Sequence, residues 1–155
     1  MEQMEVAFPM DSRTEEYESL MTRAHAARKE GKLRLALALY RKAADLSKGL
    51  GDDTRGWARA TRYASEMQSA TGNVEDAVMN ARDVVRFYLR NGADPAEQAG
   101  AWRALGLAEE SKGTTDGEWE ARRAWASMRD VCMRFRMEEG VKEANEHMSG
   151  SRWND

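Results

Sequence analysis

Carboxylate and imidazole side chains that could bind a metal ion or transfer a proton are most concentrated near the end of the sequence. Glu143, Glu146 and His147 fall within about two turns of one predicted helix. This segment lacks the second histidine that the zinc-peptidase helix motif requires. His25, the other histidine, has no partner with which to form a catalytic group. We therefore expect no metal site, no cofactor and no catalytic site.

Cysteine chemistry is equally restricted. Cys132 is the single cysteine, which excludes an intrachain disulfide and a cysteine-built zinc site. It lies in an apolar stretch of a predicted helix, where a cysteine behaves as a small buried hydrophobic residue. The sequence therefore predicts a protein that is not an enzyme.

The composition is that of a helical protein with a balanced surface charge. The 155 residues are 41% hydrophobic and 33% charged, and the net charge is -3. Only two prolines occur, whereas the strong helix formers alanine, arginine, glutamate and leucine are abundant. A chain of this length forms one domain. Since it has neither a signal-peptide pattern nor an apolar run of about 20 residues, we expect a cytoplasmic protein without membrane association.

Glycines and capping residues divide the chain into six main helices and a short terminal one. Gly31, Gly72 and Gly113 are predicted to end the first, third and fifth helices, and Gly140 to kink or end the sixth. The predicted helices cover 12–30, 32–48, 54–70, 74–90, 95–113, 115–137 and 141–148. The domain is placed at 11–148, between a flexible segment at 1–10 and a flexible tail at 149–155.

Four of these helix starts carry capping signals. Ser12 and Thr115 each precede a glutamate by three residues, which is the capping-box spacing. Asn73 is predicted to cap the fourth helix. Asp94 and Pro95 supply a capping acid and a proline in the first turn of the fifth helix. This last start is the clearest in the sequence.

One pattern of small and aromatic residues recurs in the second helix of each pair. In the first pair it consists of Gly31, Ala36, Tyr40 and Ala43. Its later occurrences are Gly72, Ala77, Ala81 and Val84, followed by Gly113, Ala121, Trp125 and Met128. The alanines Ala36, Ala77 and Ala121 are 41 and then 44 residues apart. Recurrence at a nearly fixed interval is typical of stacked helical repeats.

Each pair resembles a tetratricopeptide repeat, in which a small residue lies where the two helices cross and a glycine occupies the turn. The first-helix residues that carry this resemblance are Ala24, Ser65, Trp102, Leu105 and Gly106. The resemblance implies an all-α fold, namely an α-solenoid of about three antiparallel helix pairs plus a short C-terminal capping helix. The third pair matches only with about three additional residues in the turn at 113–117. A generic helical bundle, whose alanines reflect composition alone, remains the alternative.

The resemblance also implies a partner-binding groove lined by the exposed stripe of the first helices. The residues assigned to it are Met21, His25, Arg28, Arg59, Arg62, Tyr63, Glu66, Arg103, Leu107 and Glu110. Its arginines would favour an acidic segment or a carboxylate. The lysine and asparagine clamp of chaperone-binding members is not matched. The open alternative is a solvated helix face, where pairs such as Arg62 and Glu66 neutralise each other.

Tryptophans offer a further set of candidate contacts. Trp57, Trp102, Trp119 and Trp125 fall in or beside helices and are expected to be packing anchors. Trp153 lies in a polar tail and could dock either on the fold or on a partner.

These features predict a non-catalytic protein–protein interaction module, an adaptor or scaffold that binds a partner protein segment in the groove. The first alternative is a regulatory or inhibitory subunit that acts on an enzyme through its convex face or its ends. A nucleic-acid-binding helical repeat is a third possibility because arginines cluster at 122–136, but a pI near 5.6 disfavours it. The open ends of so short an array also permit homo-oligomers.

Overall fold

The protein is all-helical over the residues described by a computed structural model, which gives the backbone of 9–48 and 55–150 and the side chains of 12–48 and 55–150. These ranges contain seven helices and no strand. The helices are α1 (Pro9–Lys29), α2 (Leu33–Lys48), α3 (Arg55–Ala70), α4 (Val74–Asn91), α5 (Pro95–Ser111), α6 (Thr115–Arg134) and α7 (Glu138–Met148). The segment 1–8, the predicted break at 49–53 and most of the predicted tail, including Trp153, lie outside the described residues.

Glycine turns reverse the chain after α1, α3 and α5, as the sequence predicts. Gly31, Gly72 and Gly113 have φ values of 79°, 88° and 67°. A side chain would be strained in this left-handed region. The three glycines are spaced by 41 residues. The constant 41-residue interval therefore holds for the glycine turn that follows the first helix of each pair.

The extra residues of the third pair lie in a helix and not in the turn, so that part of the prediction was wrong. The turns at 30–32, 71–73 and 112–114 have the same length. Ala121 is instead the seventh residue of α6, whereas Ala36 and Ala77 are the fourth residues of their helices. Almost one additional helical turn precedes Ala121, which explains why the alanine period lengthens from 41 to 44 residues.

The predicted helix starts at 74, 95 and 115 are confirmed, but only one of the four predicted side-chain caps is. The Asp94 side chain accepts a hydrogen bond from the Glu97 backbone N–H at 2.9 Å, as expected. Thr114, and not Thr115, caps α6 by accepting from the Gly117 N–H at 3.0 Å. Asn73 precedes α4 without a side-chain cap bond. Ser12 lies inside α1, which begins at Pro9, so the capping box predicted there was wrong.

The end of the chain also differs from its prediction. α6 ends at Arg134, and Arg136 adopts a left-handed conformation with φ of 57°. Gly140, the predicted break, lies inside α7. A Cβ atom at Gly140 would collide with Cys132 Sγ. Close packing of α7 on α6 therefore explains why a glycine occupies this position.

Each helix packs against the next along the chain, and α3 also packs against α5. Tyr40 in α2, Val84 in α4 and Trp125 in α6 are completely buried. Gly106, predicted to lie at a helix crossing, contacts the Trp125 indole so closely that a Cβ atom there would lie 2.5 Å from Trp125 Cε2. Trp119 does not fit the packing-anchor prediction, since 62% of it is exposed.

Candidate functional site

An open cleft of about 580 Å³ lies between α3, α5 and the carboxy-terminal part of the chain. Of the predicted groove residues, it is lined by Glu66, Leu107 and Glu110. The complete lining consists of Glu66, Ser69, Ala70, Leu107, Glu110, Ser111, Glu146, His147 and Gly150. The cleft thus combines the predicted stripes of α3 and α5 with α7.

Two arginines of the predicted groove are bound in an ionic chain that connects α3, α5 and α7. Arg103 Nη1 donates to Glu66 Oε1 at 2.8 Å, and Arg103 Nε donates to Glu143 Oε2 at 2.8 Å. Arg62 Nη1 lies 3.7 Å from Glu66 Oε2. Burial lowers the pKa of Arg103, but Glu66 and Glu143 more than offset this, so that the pKa is raised. These ion pairs link α3, α5 and α7, which are the helices that border the cleft.

The basic groove predicted from the arginines is not found at this cleft. Arg59 Nε lies 3.7 Å from Glu97 Oε2, and the Arg62 guanidinium covers Gly100 of α5. Arg103 is engaged by two carboxylates. Carboxylates of α3, α5 and α7 therefore compensate these charges, and the cleft lining itself contains glutamates and no lysine or arginine.

The predicted groove residues of α1 lie apart from the cleft. His25 Nδ1 is 2.6 Å from the Tyr40 hydroxyl, and the Tyr40 and Tyr63 rings are stacked with centroids 5.2 Å apart. The guanidinium carbons of Arg28 and Arg62 lie 5.0 and 4.1 Å from the centroid of the Tyr63 ring. These five residues form a cation–aromatic cluster between α1, α2 and α3.

Met21 is not a surface residue, contrary to its assignment to the groove. It is 4% exposed and belongs to the core formed by α1, α2 and α3. Residues at helical spacing share one face of a helix, but the spacing does not show which of them a neighbouring helix covers. Only the packed arrangement distinguishes Met21 from its exposed neighbours.

The environment of His25 in the cation–aromatic cluster lowers its pKa. Burial lowers the pKa of His25 below 6.5, and the positive charge of Arg28 lowers it further. The unfolded chain binds the proton at about pH 6.5, whereas the folded chain binds it only at lower pH. The contribution of neutral His25 to the free energy of unfolding is therefore fully present above pH 6.5. It is lost as the pH falls through the folded-state pKa of His25.

We expect an NMR titration to place the pKa of His25 below 6.5, and Arg28→Gln to raise it towards that value. Arg23→Gln, which removes a charge from an exposed position of α1, should leave the pKa of His25 nearly unchanged. A wild-type pKa at or above 6.5, or equal values in both variants, would contradict this account.

α7 completes the cleft through a contact that the groove assignment did not include. Glu110 Oε2 accepts hydrogen bonds from Trp125 Nε1 at 2.8 Å and approaches His147 Nδ1 at 2.8 Å. The His147 ring stacks on Trp125 with centroids 3.8 Å apart. The sequence singled out Glu146 and His147 as potential ligands. Their place beside Glu110, 36 and 37 residues distant in sequence, depends on the packing of α7.

The sequence predicts neither a metal site nor a catalytic site. In the described ranges, no group of three or more histidine, cysteine or carboxylate side chains is arranged to hold a metal ion. Burial raises the pKa of the Cys132 thiol, and Glu143 raises it further. Cys132 is fully buried, in agreement with the sequence prediction.

Comparison with protein-family models and with curated proteins yields no match for this chain. Within residues 9–48 and 55–150, none of the helices combines the length and the hydrophobicity needed to cross a membrane. The described part of the protein is thus all-helical, each helix packs against the next, and glutamates from α3, α5 and α7 line an open cleft.

Proposed function

We propose that this protein is a non-catalytic interaction module, an adaptor or scaffold that binds a segment of a partner protein in the cleft between α3, α5 and α7. In this proposal the six main helices form an α-solenoid of three tetratricopeptide-like pairs, and α7 is the C-terminal capping helix. The observation that carries the proposal is the convergence of Glu66, Leu107 and Glu110 on one open cleft.

Three structural features support the repeat arrangement. The left-handed glycines recur every 41 residues. Small residues occupy equivalent positions seven residues before each of them, at Ala24, Ser65 and Gly106. The contact between α3 and α5 brings first helices of consecutive pairs together. Stacking of α3 on α5 places the surfaces of two first helices side by side, and such surfaces bind extended partners in helical repeats.

Filling the cleft tests the proposal. Ala70 is exposed at the cleft wall, so Ala70→Trp should occupy the space without opening the core. We expect affinity capture from the source cells to recover a defined partner with the wild type and to lose about tenfold or more of it with this variant. A photo-crosslinker at Leu107 should label the same partner.

A second candidate is a regulatory subunit that acts through its outer surface. α4 exposes 56% of Met79 and 71% of Leu89, and a depression of about 560 Å³ adjoins Met79. Met79→Glu is therefore the matched control for the cleft variant. Loss of the partner with Met79→Glu and its retention with Ala70→Trp would exclude the cleft and favour this second function. Circular dichroism should show the same helix content for both variants before their partner binding is compared.

A further inference from the structure

We infer that the segment following Gly150, with Arg152 and Trp153 at its centre, occupies the cleft and competes there with the partner. Residues 151–155 lie outside the described part of the chain, and their sequence is Ser-Arg-Trp-Asn-Asp. Docking of this segment depends on the cleft alone, whereas the competition rests on the proposed function. The inference thus adds a regulation of that site by the protein's own chain.

The position of Gly150 shows where this segment begins. Gly150 belongs to the cleft lining and follows α7, which ends at Met148. Because an extended residue spans at most about 3.6 Å, the Cα atom of Trp153 lies within roughly 11 Å of that of Gly150. The segment therefore starts at the cleft, and Trp153 stays within reach of its walls.

The cleft has an apolar wall of the kind that an indole ring can cover. Ala70 of α3 is exposed, Leu107 of α5 is half-buried, and both line the cleft. A tryptophan side chain buries about 150–250 Å² when it is fully packed. The cleft, at about 580 Å³, has room for one. Trp153 is therefore the residue of the segment for which docking removes the largest apolar surface from water.

The charge next to Trp153 is complementary to the cleft. The cleft is lined by Glu146, which is exposed, and by Glu110, whose side chain is 26% exposed. Adjacent side chains of an extended segment point to opposite sides, so Arg152 and Trp153 can contact different walls. Asp155, the acidic residue of the segment, is the farthest from Gly150 in sequence. The guanidinium can therefore reach the carboxylates while the indole covers the apolar wall.

Attachment to the chain makes weak docking effective. A short flexible linker gives an effective concentration on the order of 1 mM. If the free segment bound with a dissociation constant of about 0.1 mM, the attached segment would occupy the cleft in roughly 90% of the molecules. A partner would then bind roughly tenfold more weakly than to the empty cleft.

NMR spectroscopy of the full chain tests the docking directly. We expect nuclear Overhauser effects between the indole ring of Trp153 and the methyl groups of Ala70 and Leu107. Trp153→Ala should shift these methyl signals, because the ring current of the indole is removed. Trp119→Ala, which removes a 62% exposed tryptophan from outside the cleft, should leave them unchanged.

Two results of this experiment would overturn the inference. The first is the absence of Overhauser effects between Trp153 and the two methyl-bearing residues. The second arises in a mixture of labelled and unlabelled chains: effects found only between chains would make a second copy of the protein the source of the docked segment.

A peptide of residues 150–155 with blocked ends tests the same site without the attachment. It should saturate the methyl shifts of Ala70 and Leu107 in the Trp153→Ala chain. It should bind the wild-type chain about tenfold more weakly, because the attached segment competes. Arg152→Gln in the peptide should weaken binding about threefold, as for an exposed ion pair, and Asn154→Ala should have no effect. Equal affinity for the two chains, or no saturable shift, would contradict the inference.

Partner capture separates this inference from the proposed function. Trp153→Ala should raise the recovery of the partner, because the competing segment is weakened, and unchanged recovery would overturn the competition. If Ala70→Trp loses the partner while Trp153 shows no contact with the cleft, the proposed function stands and the inference fails. If Trp153 contacts the cleft while Ala70→Trp retains the partner, the proposed function fails instead.

Discussion

Replacing Trp125 with alanine is expected to lower the free energy of unfolding by about 4 kcal/mol, since a fully buried aromatic side chain is removed from the core. The loss includes the hydrogen bond to Glu110 and the stacked contact with His147. Urea denaturation monitored by circular dichroism measures the change. Trp119→Ala, on the same helix but 62% exposed, should cost less than about 1 kcal/mol.

Gly106 provides a direct test of the contact beneath Trp125. An alanine in place of glycine normally stabilises a helix by about 1 kcal/mol. Here the added Cβ atom would lie 2.5 Å from Trp125 Cε2, so Gly106→Ala should destabilise the protein. In the Trp125→Ala background the same change should become stabilising. If Gly106→Ala has the same effect in both backgrounds, the two residues do not pack as described.

The second large effect is expected at the ionic chain that joins α3 to α5. Glu66→Leu removes the acceptor shared by Arg62 and Arg103 and leaves a guanidinium with a side chain only 10% exposed beside an apolar group. We expect a loss of about 3 kcal/mol in the free energy of unfolding, because an uncompensated buried charge is strongly unfavourable.

Two companion variants separate charge from packing. Arg62→Met combined with Glu66→Leu should recover part of the lost stability, since well-packed apolar replacements of a buried pair are often tolerated. Glu30→Gln breaks an ion pair with Lys32 whose side chains are 59% and 64% exposed, and should cost less than about 0.5 kcal/mol. If Glu66→Leu and Glu30→Gln lower the free energy of unfolding by similar amounts, the ion pairs of Glu66 with Arg62 and Arg103 contribute little to stability.

The helical elements were predictable because their signals are local. Left-handed glycine and an acid before proline act within a few residues, and the turns at Gly31, Gly72 and Gly113 and the cap at Asp94 follow the prediction. Ser12 and Gly140 were both wrongly placed at helix boundaries. A residue type compatible with a helix end is also tolerated inside a helix when packing, here of Gly140 on Cys132, requires it.

The candidate site was predictable only in part. The resemblance to tetratricopeptide repeats, transferred by register, assigned Glu66, Leu107 and Glu110 to helix faces that do line the cleft. It also assigned Met21, which is buried, because periodicity marks a face without showing which side of it meets the next helix. The ion pair between Arg103 and Glu143 of α7 was not predictable, since the two residues are 40 positions apart in sequence.

The sequence by itself determined that this protein is helical, where most helices begin and end, and which residues repeat with the period of a helix pair. These properties depend on backbone conformation and on hydrogen bonds between near neighbours. Only the tertiary structure decided which charges compensate each other and which polar atoms, Glu66 Oε2 and Ser69 Oγ among them, are buried without a hydrogen bond to a described residue. Such pairings depend on distances of a few ångströms between separate helices, and those distances are set by side-chain packing.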